Sequence, residues 1–144
     1  MSNKYQLLEL TTIKEMLPCF WLIQQLYPDM TKNKYKKLLK EMMKGGYRQV
    51  VVFKKDKAVG LSGYWINTKL YCEKYIEPDN VIVDKNHRSK GIGKLIGDWM
   101  AEKAEELKCK AIVLDAYVEN KGAHRFYLRE GFTIRGYHFV KYIE

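Results

Sequence analysis

The sequence predicts an α+β or mixed α/β layered fold. Three consecutive runs with strand patterning occupy 47–54, 58–66 and 70–84, and the short polar connections between them indicate an antiparallel meander. A helical period of 3.6 residues then leads into an apolar run at 110–116, which indicates a strand, helix, strand crossover. An antiparallel sheet that merges into a crossover unit buries its faces under helices, which makes a layered architecture.

Length and composition agree with a single domain over residues 1–144. A chain of 144 residues buries roughly 68–70% of the surface of its unfolded state, so it can build a core without metal or disulfide staples. Charged residues and Pro18 interrupt the first twenty positions, and no apolar run approaches the ~20 residues that span a bilayer. We therefore expect no signal peptide, no membrane span and a cytoplasmic protein.

The cysteines and histidines carry no signature of a disulfide or a metal site. No pair has the Cys-x-x-Cys spacing, none recurs with carboxylates at a ligand spacing, and an odd number of separated cysteines is typical of reduced thiols. We expect no metal cofactor. The residues concerned are Cys19, Cys72, Cys109, His87, His124 and His138.

The N-terminal part of the chain predicts a short strand and a first helix. The run 6–10 has strand patterning, and Thr12 with Glu15 forms a capping box for the helix. Pro18 is expected to kink this helix or delay its start, and the helix is expected to end before Pro28, because proline lacks the amide N–H that a helix interior needs.

A lysine-rich second helix follows, capped by Thr31 and ended by Gly45 and Gly46. The formal net charge of +9, from 26 Lys plus Arg against 17 Asp plus Glu, favours an anionic partner. The helix can present a solvated surface, an RNA-binding or membrane-binding face, or a substrate lid. A solvated surface is the favoured interpretation, so we expect neither a membrane nor a nucleic acid partner. The lysines at issue are Lys32, Lys34, Lys36, Lys37, Lys40 and Lys44.

The middle of the chain predicts the meander and the crossover helix. Polar residues at 55–57 and 67–69 are expected to form the two hairpin turns. From Ser89 onward apolar residues recur on one helical face. They are Ile92, Leu95, Ile96, Trp99, Met100 and Leu107.

The C-terminal part predicts a short helix between strands. Asn120 can cap this helix and Gly131 can end it. Two terminal strands, near 132–135 and 137–143, complete the predicted sheet.

A basic, glycine-containing segment at residues 88–94, here called the phosphate loop, opens the long helix after the apolar strand end at 81–83. The first turn of a helix has unpaired backbone N–H groups and the positive end of the helix dipole, and glycine lets an anion approach the backbone closely. Arg88, Lys90 and Lys94 add cationic donors. The alternative is a glycine-containing turn whose basic residues face water.

Two common phosphate-binding motifs do not fit this loop. A Walker loop requires glycine where Arg88 stands, and Ser or Thr where Leu95 follows Lys94. The dinucleotide pattern requires a third glycine at Ile96, whereas Gly97 comes one place late.

The loop instead resembles the Arg/Gln-x-x-Gly-x-Gly/Ala segment of the GNAT superfamily of acetyl-CoA-dependent N-acetyltransferases. The stretch 120–132, Asn-Lys-Gly-Ala-His-Arg-Phe-Tyr-Leu-Arg-Glu-Gly-Phe, is similar to the family's Asn-x-x-Ala-x-x-Phe-Tyr-x-x-x-Gly-Phe pattern. Both motifs occur in the family's order, with one long helix and one strand between them. The resemblance implies a mixed, mostly antiparallel sheet of about seven strands with about four helices, and a splayed parallel strand pair that holds the cofactor.

The resemblance also implies site residues. Val81, Ile82 and Val83 would lend backbone groups to the pantetheine arm and thioester of acetyl-CoA, and Asn120 would contact the cofactor while also capping its helix. The pyrophosphate would be held by Arg88, Ser89, Lys90, Gly91, Ile92, Gly93 and Lys94.

Acetyl transfer to an amine needs a neutral nitrogen, a donor for the developing oxyanion and a proton for the thiolate. Tyr127 matches the family tyrosine that acts as general acid. A phenol with pKa near 10 holds its proton more tightly than a thiol with pKa near 8.5, so tyrosine acts only as a transient donor that is reprotonated from solvent or from the amine. The alternative is a tyrosine that packs in the core.

Glu77 matches the position where some family members keep a general base, and Asp79 is its competitor. A carboxylate with pKa near 4.3 cannot alone deprotonate an alkylammonium with pKa near 10.4, so the base would act through water or in a desolvated pocket. Glu77 in a solvated turn is the alternative. Asp84 and Asp115 also stand near strand ends, where either could orient backbone N–H groups.

The acceptor is expected to be a primary amine on a small molecule or peptide, and the sequence does not identify it. A non-catalytic acyl-CoA sensor and a basic RNA-associated or ribosome-associated protein are the alternative functions, and a homodimer is compatible with the sequence. Residues of the first two helices and the strands beside the cleft are candidates for the acceptor pocket, through cation–π contacts in part. They are Tyr27, Asp29, Tyr64, Trp65, Tyr71 and His138.

Overall fold

The computed structural model describes residues 4–143, which divide into two compact units, 4–113 and 114–143. The first unit is built on a five-stranded sheet with the strand order β1-β2-β3-β4-β5. The first four strands pair antiparallel, and β4 pairs with β5 in parallel, which confirms the predicted α/β class with its meander and crossover. The strands are β1 (Gln6–Leu10), β2 (Arg48–Lys54), β3 (Lys57–Lys69), β4 (Glu73–Val83) and β5 (Ala111–Ile112).

Pro18 divides the first predicted helix, as expected. The capping box of Thr12 and Glu15 opens α1 (Ile13–Met16), a 3₁₀ turn covers Leu17–Cys19, and α2 (Phe20–Leu26) continues to the residue before Tyr27. Proline has no N–H for the α-helical ladder, so the chain tightens to 3₁₀ geometry at this point.

The second and third predicted helices are also confirmed. The Thr31 hydroxyl caps α3 (Lys32–Lys44), and Gly45 follows its last residue. Tyr35 and Leu39 are buried and all six lysines of this helix are exposed, so the structure places them on a solvated face. The crossover helix α4 (Ile92–Glu106) connects β4 to β5.

Two apolar layers cover the two faces of the sheet. Successive side chains of a strand point to opposite faces, so Val51 packs with the cluster that includes α1, α2 and α3, whereas Val50 and Val52 pack with α4. Burying a side chain of this kind contributes roughly 1.5–3 kcal/mol. The two layers fix the end of β4 and the start of α4 relative to each other.

The predicted second hairpin turn is wrong by three residues. Asn67 pairs with Tyr75 and Thr68 with Lys74, so 67–69 belongs to β3, and the turn lies at 70–72. The polar side chains of 67–69 are exposed. The hydrogen bonds between strands join backbone groups, so a strand can carry polar side chains where it faces solvent. The polar residues 67–69 therefore resembled a turn in the sequence although they continue the strand.

The second unit contains α5 (Lys121–Arg129), which Asn120 caps and Gly131 follows with φ +95°, as predicted. The strand predicted at 110–116 is limited to β5, and no strand is found in 113–143, so the described sheet has five strands instead of seven. The terminal strands predicted at 132–135 and 137–143 are not found, because the sequence of a segment does not show whether a partner backbone is present to form a ladder.

In residues 4–143 no helix is long and apolar enough to cross a membrane.

Candidate active site

The phosphate loop joins the end of β4 to the first turn of α4, where the sequence predicts it. β4 ends at Val83, a 3₁₀ turn covers Lys85–His87, and Arg88 to Gly91 are exposed before α4 begins at Ile92. Ser89 and Gly91 have left-handed backbone conformations, with φ +62° and +84°. The loop therefore turns sharply and presents its backbone to solvent.

The start of α4 fits an anionic ligand. Thr12, Thr31 and Asn120 cap their helices with a side-chain oxygen, whereas α4 begins at Gly91 with no side-chain cap. A Cβ atom at Gly91 would meet no atom within 4 Å, so there is open space beside the backbone. The first amides of a helix without a cap are available to a phosphate, and the residues present fit a pyrophosphate group.

The side chains of the loop add positive charge without burying it. Arg88 and Lys90 are exposed, and the Lys94 ammonium lies 3.3 Å from the carboxylate of Asp98 one turn later. An ion pair this exposed contributes at most about 1 kcal/mol. By contrast, the Ile92 side chain is buried in the core, which leaves this residue only its backbone for a ligand.

The end of β4 is irregular. Leu61 pairs with Ile82 and Gly63 with Asp79, so Ser62 on β3 faces both Asn80 and Val81 on β4. Two residues opposite one form a β-bulge, and Asn80 takes a left-handed φ of +58°. The bulge includes Val81 and directly precedes Ile82 and Val83, the other predicted cofactor-binding residues of this strand.

Five residues form a polar and aromatic group at this bulge, here called the bulge cluster: Tyr27, Tyr47, Trp65, Asp79 and Asn80. The Tyr47 hydroxyl donates to Asn80 Oδ1 at 2.9 Å, and Asn80 Nδ2 donates to the Tyr27 hydroxyl at 3.1 Å. Trp65 Nε1 donates to Asp79 Oδ2 at 2.9 Å, and the rings of Trp65 and Tyr47 lie 5.2 Å apart. Two predicted acceptor-pocket residues and one predicted base thus meet in one cluster.

Sequence reasoning missed Tyr47 and Asn80. Pro78, Asp79 and Asn80 are turn-forming residues inside a strand pattern, and this was a readable signal of a bulge. Gly63, opposite on β3, was the second signal, because a glycine inside a strand pattern indicates a bulge or a close approach of another group. In the structure, a Cβ atom at Gly63 would overlap the hydroxyl and ring of Tyr47.

Other predicted pocket residues lie elsewhere. Tyr64 follows Gly63 and precedes Trp65, so it points to the α4 face, where its hydroxyl donates to Glu9 and its ring lies 5.4 Å from that of Trp99. Tyr71 lies in the hairpin turn and Asp29 is exposed after α2. Tyr64 and Trp65 therefore lie on opposite faces of the sheet, because neighbouring residues of a strand alternate between faces, and the two cannot line one pocket together.

Glu77 is half-buried on β4. It pairs in register with Trp65, and it lies two residues before Asp79. The regular alternation of a strand therefore places Glu77, Trp65 and Asp79 on the same face of the sheet. Both candidate bases, Glu77 and Asp79, therefore lie on the face of the sheet that carries Trp65.

In the second unit, Tyr127 packs between two phenylalanine rings. Its ring centroid lies 5.3 Å from that of Phe126 and 5.5 Å from that of Phe132. Burial raises the pKa of the Tyr127 phenol above its ordinary value, so the phenol is protonated at neutral pH.

The predicted capping role of Asn120 is confirmed, because its Oδ1 accepts the Ala123 N–H at 3.1 Å. His138, also in this unit, lies 3.3 Å from the carboxylate of Asp115.

No group of three or more His, Cys, Asp or Glu residues within 4–143 is arranged to hold a metal ion. The three cysteines are free thiols.

The chain is similar to known acetyltransferases. The sequence model of the acetyltransferase (GNAT) family matches residues 11–132. The uncharacterized N-acetyltransferase YhdJ of Bacillus subtilis (strain 168) is 24% identical over 135 residues, which are 92% of this chain and 95% of that protein.

Solved structures agree in fold. Glucosamine-6-phosphate N-acetyltransferase from Arabidopsis thaliana has a TM-score of 0.76 at 21% identity, over 99% of this chain and 100% of that one. The aminoglycoside N-acetyltransferase AAC(6')-Iy, solved in complex with CoA, has a TM-score of 0.81 at 15% identity, over 100% and 97%. Because the family match covers most of its length, the chain belongs to the GNAT family of acetyltransferases and is an acetyl-CoA-dependent N-acetyltransferase.

Proposed function

We propose that this enzyme transfers the acetyl group of acetyl-CoA to a primary amine of a small molecule or peptide by direct attack. The observation that carries the proposal is the start of α4, which has no side-chain cap and opens beside Gly91 at the end of β4. The names of two structural neighbours, a glucosamine-6-phosphate and an aminoglycoside N-acetyltransferase, support a small amine as acceptor. The family match runs across both compact units, which supports one acetyltransferase domain over the whole chain.

The reaction sets a proton balance that the protein must serve. When bound, acetyl-CoA supplies the acetyl group as a thioester. A carbon–nitrogen bond forms and the carbon–sulfur bond breaks, while the acceptor amine loses one proton and the departing sulfur gains one. A base near the amine and an acid near the sulfur are therefore the roles to assign.

Tyr127 is the proposed general acid. Its burial keeps the phenol protonated at neutral pH, which is the form that can donate. Since a phenol with pKa near 10 holds its proton more tightly than a thiol with pKa near 8.5, the donation to sulfur is transient, and the tyrosine oxygen regains a proton from solvent or from the amine. Asn120 is proposed to contact the cofactor while it caps α5.

Glu77 is the proposed general base, acting through water. One oxygen of Asp79 accepts the Trp65 N–H, which ties that carboxylate into the bulge cluster, and Asp79 remains the competing candidate. The bulge cluster itself is proposed to line the acceptor side, since aromatic faces and a carboxylate together suit a cationic amine.

The first experiment identifies the acceptor. A panel of amines and peptides is screened for release of free thiol from acetyl-CoA, together with melting temperatures in acetyl-CoA and in CoA. A ligand that binds only the native state raises the melting temperature by mass action. No shift with either compound at saturation would reject the enzyme and the acyl-CoA sensor together.

The second experiment tests the acid. Tyr127→Phe is expected to lower kcat by roughly 10²-fold or more, the range for a general acid, and to leave the CoA dissociation constant nearly unchanged. Tyr142→Phe removes an exposed hydroxyl from the same unit and serves as the control. Unchanged turnover in Tyr127→Phe would remove this residue from the reaction.

The third experiment tests the base. Glu77→Gln is expected to flatten the alkaline rise of the pH–rate profile, and Glu73→Gln, an exposed change on the same strand, is expected to preserve it. A normal rise in Glu77→Gln, with a flattened one in Asp79→Asn, would transfer the role to Asp79.

A further inference from the structure

A buried carboxylate precedes the phosphate loop, and the proposed chemistry does not use it. Asp84 directly follows the last residue of β4, and its side chain is 2% exposed. Charged groups are rarely buried to this degree unless they are paired and hydrogen-bonded, because they lose their hydration. The partners of Asp84 therefore indicate what it does.

Both oxygens of the carboxylate have partners. Gln25 Nε2 on α2 donates to Asp84 Oδ1 at 3.0 Å, and His87 Nδ1 lies 2.9 Å from Asp84 Oδ2. Burial alone would raise the pKa of Asp84, but the hydrogen bonds from Gln25 and His87 hold this pKa below its ordinary value. An ionised carboxylate only accepts hydrogen bonds, so His87 Nδ1 carries a proton and donates it.

Backbone groups complete the arrangement. The Asp84 N–H donates to the Val59 carbonyl at 2.8 Å, which joins this residue to β3. The Asp84 carbonyl accepts the His87 N–H at 2.8 Å, and the Gln25 Oε1 accepts the Lys85 N–H at 3.3 Å. One side chain of α2 thus holds both the side chain and the backbone of the segment that leads into Arg88.

We propose that Asp84 is a positioning residue for the phosphate loop. Through His87 and Gln25 it fixes residues 84–87 against α2 and β3, and so it holds the loop amides in the arrangement that binds a pyrophosphate. The proposal rests on the proposed function, because the ligand of the loop is the pyrophosphate of CoA. Asp84 acts through other residues and is not assigned any contact with the substrate.

The expected loss of CoA affinity depends on the fraction of molecules in which the phosphate loop has its binding conformation. The apparent dissociation constant rises by the inverse of the fraction of molecules in the binding conformation. A loop that is competent about one tenth of the time therefore binds about tenfold more weakly. The chemical step, once the cofactor is bound, is expected to change much less.

The test combines a measurement without ligand and one with CoA. In the protein without ligand, Asp84→Asn is expected to speed amide hydrogen exchange in 85–94. In calorimetric titrations with CoA, Asp84→Asn is expected to raise the dissociation constant about tenfold, the factor for one-tenth competence. Asp56→Asn, in the exposed turn between β2 and β3, makes the same change of charge and is expected to match the wild type in both measurements.

His87 provides a rescue pair. His87→Asn keeps an N–H donor close to the position of Nδ1 and is expected to bind CoA with an affinity within about threefold of the wild type, because the bond to Asp84 can re-form. His87→Phe removes the donor and is expected to weaken binding to the level of Asp84→Asn. A role in general stability alone would not separate the two variants in their CoA affinity.

The outcomes are distinguishable. If the wild type binds CoA, and Asp84→Asn shows either unchanged exchange in 85–94 or unchanged CoA affinity, the positioning role is overturned while the proposed function stands. If the wild type does not bind CoA, the assignment of the loop fails and this proposal fails with it. If Asp84→Asn does not fold, the His87 pair decides, and equal CoA affinities in its two variants overturn the proposal.

Discussion

Replacing Gly91 with alanine separates backbone strain from contact with the cofactor. Gly91 has φ +84°, and a Cβ atom there would meet no protein atom within 4 Å, so the substitution adds strain without a clash. A left-handed conformation costs an L-residue roughly 1–2 kcal/mol, and the loss of unfolded-state freedom returns about 0.4–1 kcal/mol. The net change in the free energy of unfolding is about −1 kcal/mol, or a melting temperature lower by about 3 °C for a chain of this length.

Strain of this kind is present with and without ligand, and by itself it leaves the affinity unchanged. The added methyl group projects into the open space beside the loop backbone, where the pyrophosphate is proposed to bind. We therefore expect Gly91→Ala to raise the dissociation constant of CoA at least about tenfold, a loss of about 1.4 kcal/mol in binding. Calorimetric titration measures the affinity and scanning calorimetry the melting temperature.

Lys108→Gly is the matched control, because Lys108 is exposed, has φ +59° and follows the other end of the same helix. It is expected to raise the stability by a few tenths of a kcal/mol, up to about 1 kcal/mol, and to leave CoA binding unchanged. A lower melting temperature in Gly91→Ala with unaltered CoA affinity would show that the backbone at this position does not meet the ligand.

Three further predictions concern stability. The folded-state pKa of Asp84 is depressed, so the stability that its carboxylate contributes is present above the ordinary aspartate pKa of about 3.9 and is lost as pH falls through the folded-state pKa. In urea titrations, the difference in the free energy of unfolding between the wild type and Asp84→Asn is therefore expected to shrink in strong acid. A difference that stays constant down to pH 2 would contradict this. Gly63→Ala is expected to cost about 2–3 kcal/mol, because the new Cβ atom overlaps Tyr47, and near-wild-type unfolding would exclude the close approach. Thr31→Ala removes the hydroxyl that accepts the Lys34 N–H and is expected to cost about 1 kcal/mol in the same titration, whereas Thr31→Ser is expected to retain the cap.

Local features of the sequence were sufficient to predict the helix boundaries and the phosphate loop. Thr12 and Thr31 directly precede the first residues of α1 and α3, Gly45 directly follows α3, and Gly131 lies two residues after α5, so each cap is encoded within a few neighbouring residues. The loop has the same local character, because its glycines and its basic residues stand together at the start of α4. Patterns of this kind need no knowledge of tertiary structure.

The bulge cluster and the contacts of Asp84 could not be predicted in the same way. Gln25 lies 59 residues before Asp84, and Tyr27 lies 53 residues before Asn80, so no local pattern joins either pair. Such contacts depend on how α2 is packed on the sheet. The terminal strands predicted at 132–135 and 137–143 failed for a related reason, because a strand also needs a partner backbone, which the sequence of the segment does not reveal.

The glycines of β3 have a consequence for engineering this enzyme toward new acceptors. A Cβ atom at Gly60 would lie 2.5 Å from Cγ2 of Ile92 on α4, and one at Gly63 would overlap Tyr47, so α4 and Tyr47 both lie directly against the bare backbone of the central strand. A mutant library that randomises β3 would therefore disturb both the start of α4 and the bulge cluster, which is proposed to line the acceptor side. Substitutions at Tyr27 and Trp65 would instead change the bulge cluster without touching the packing of α4 on β3.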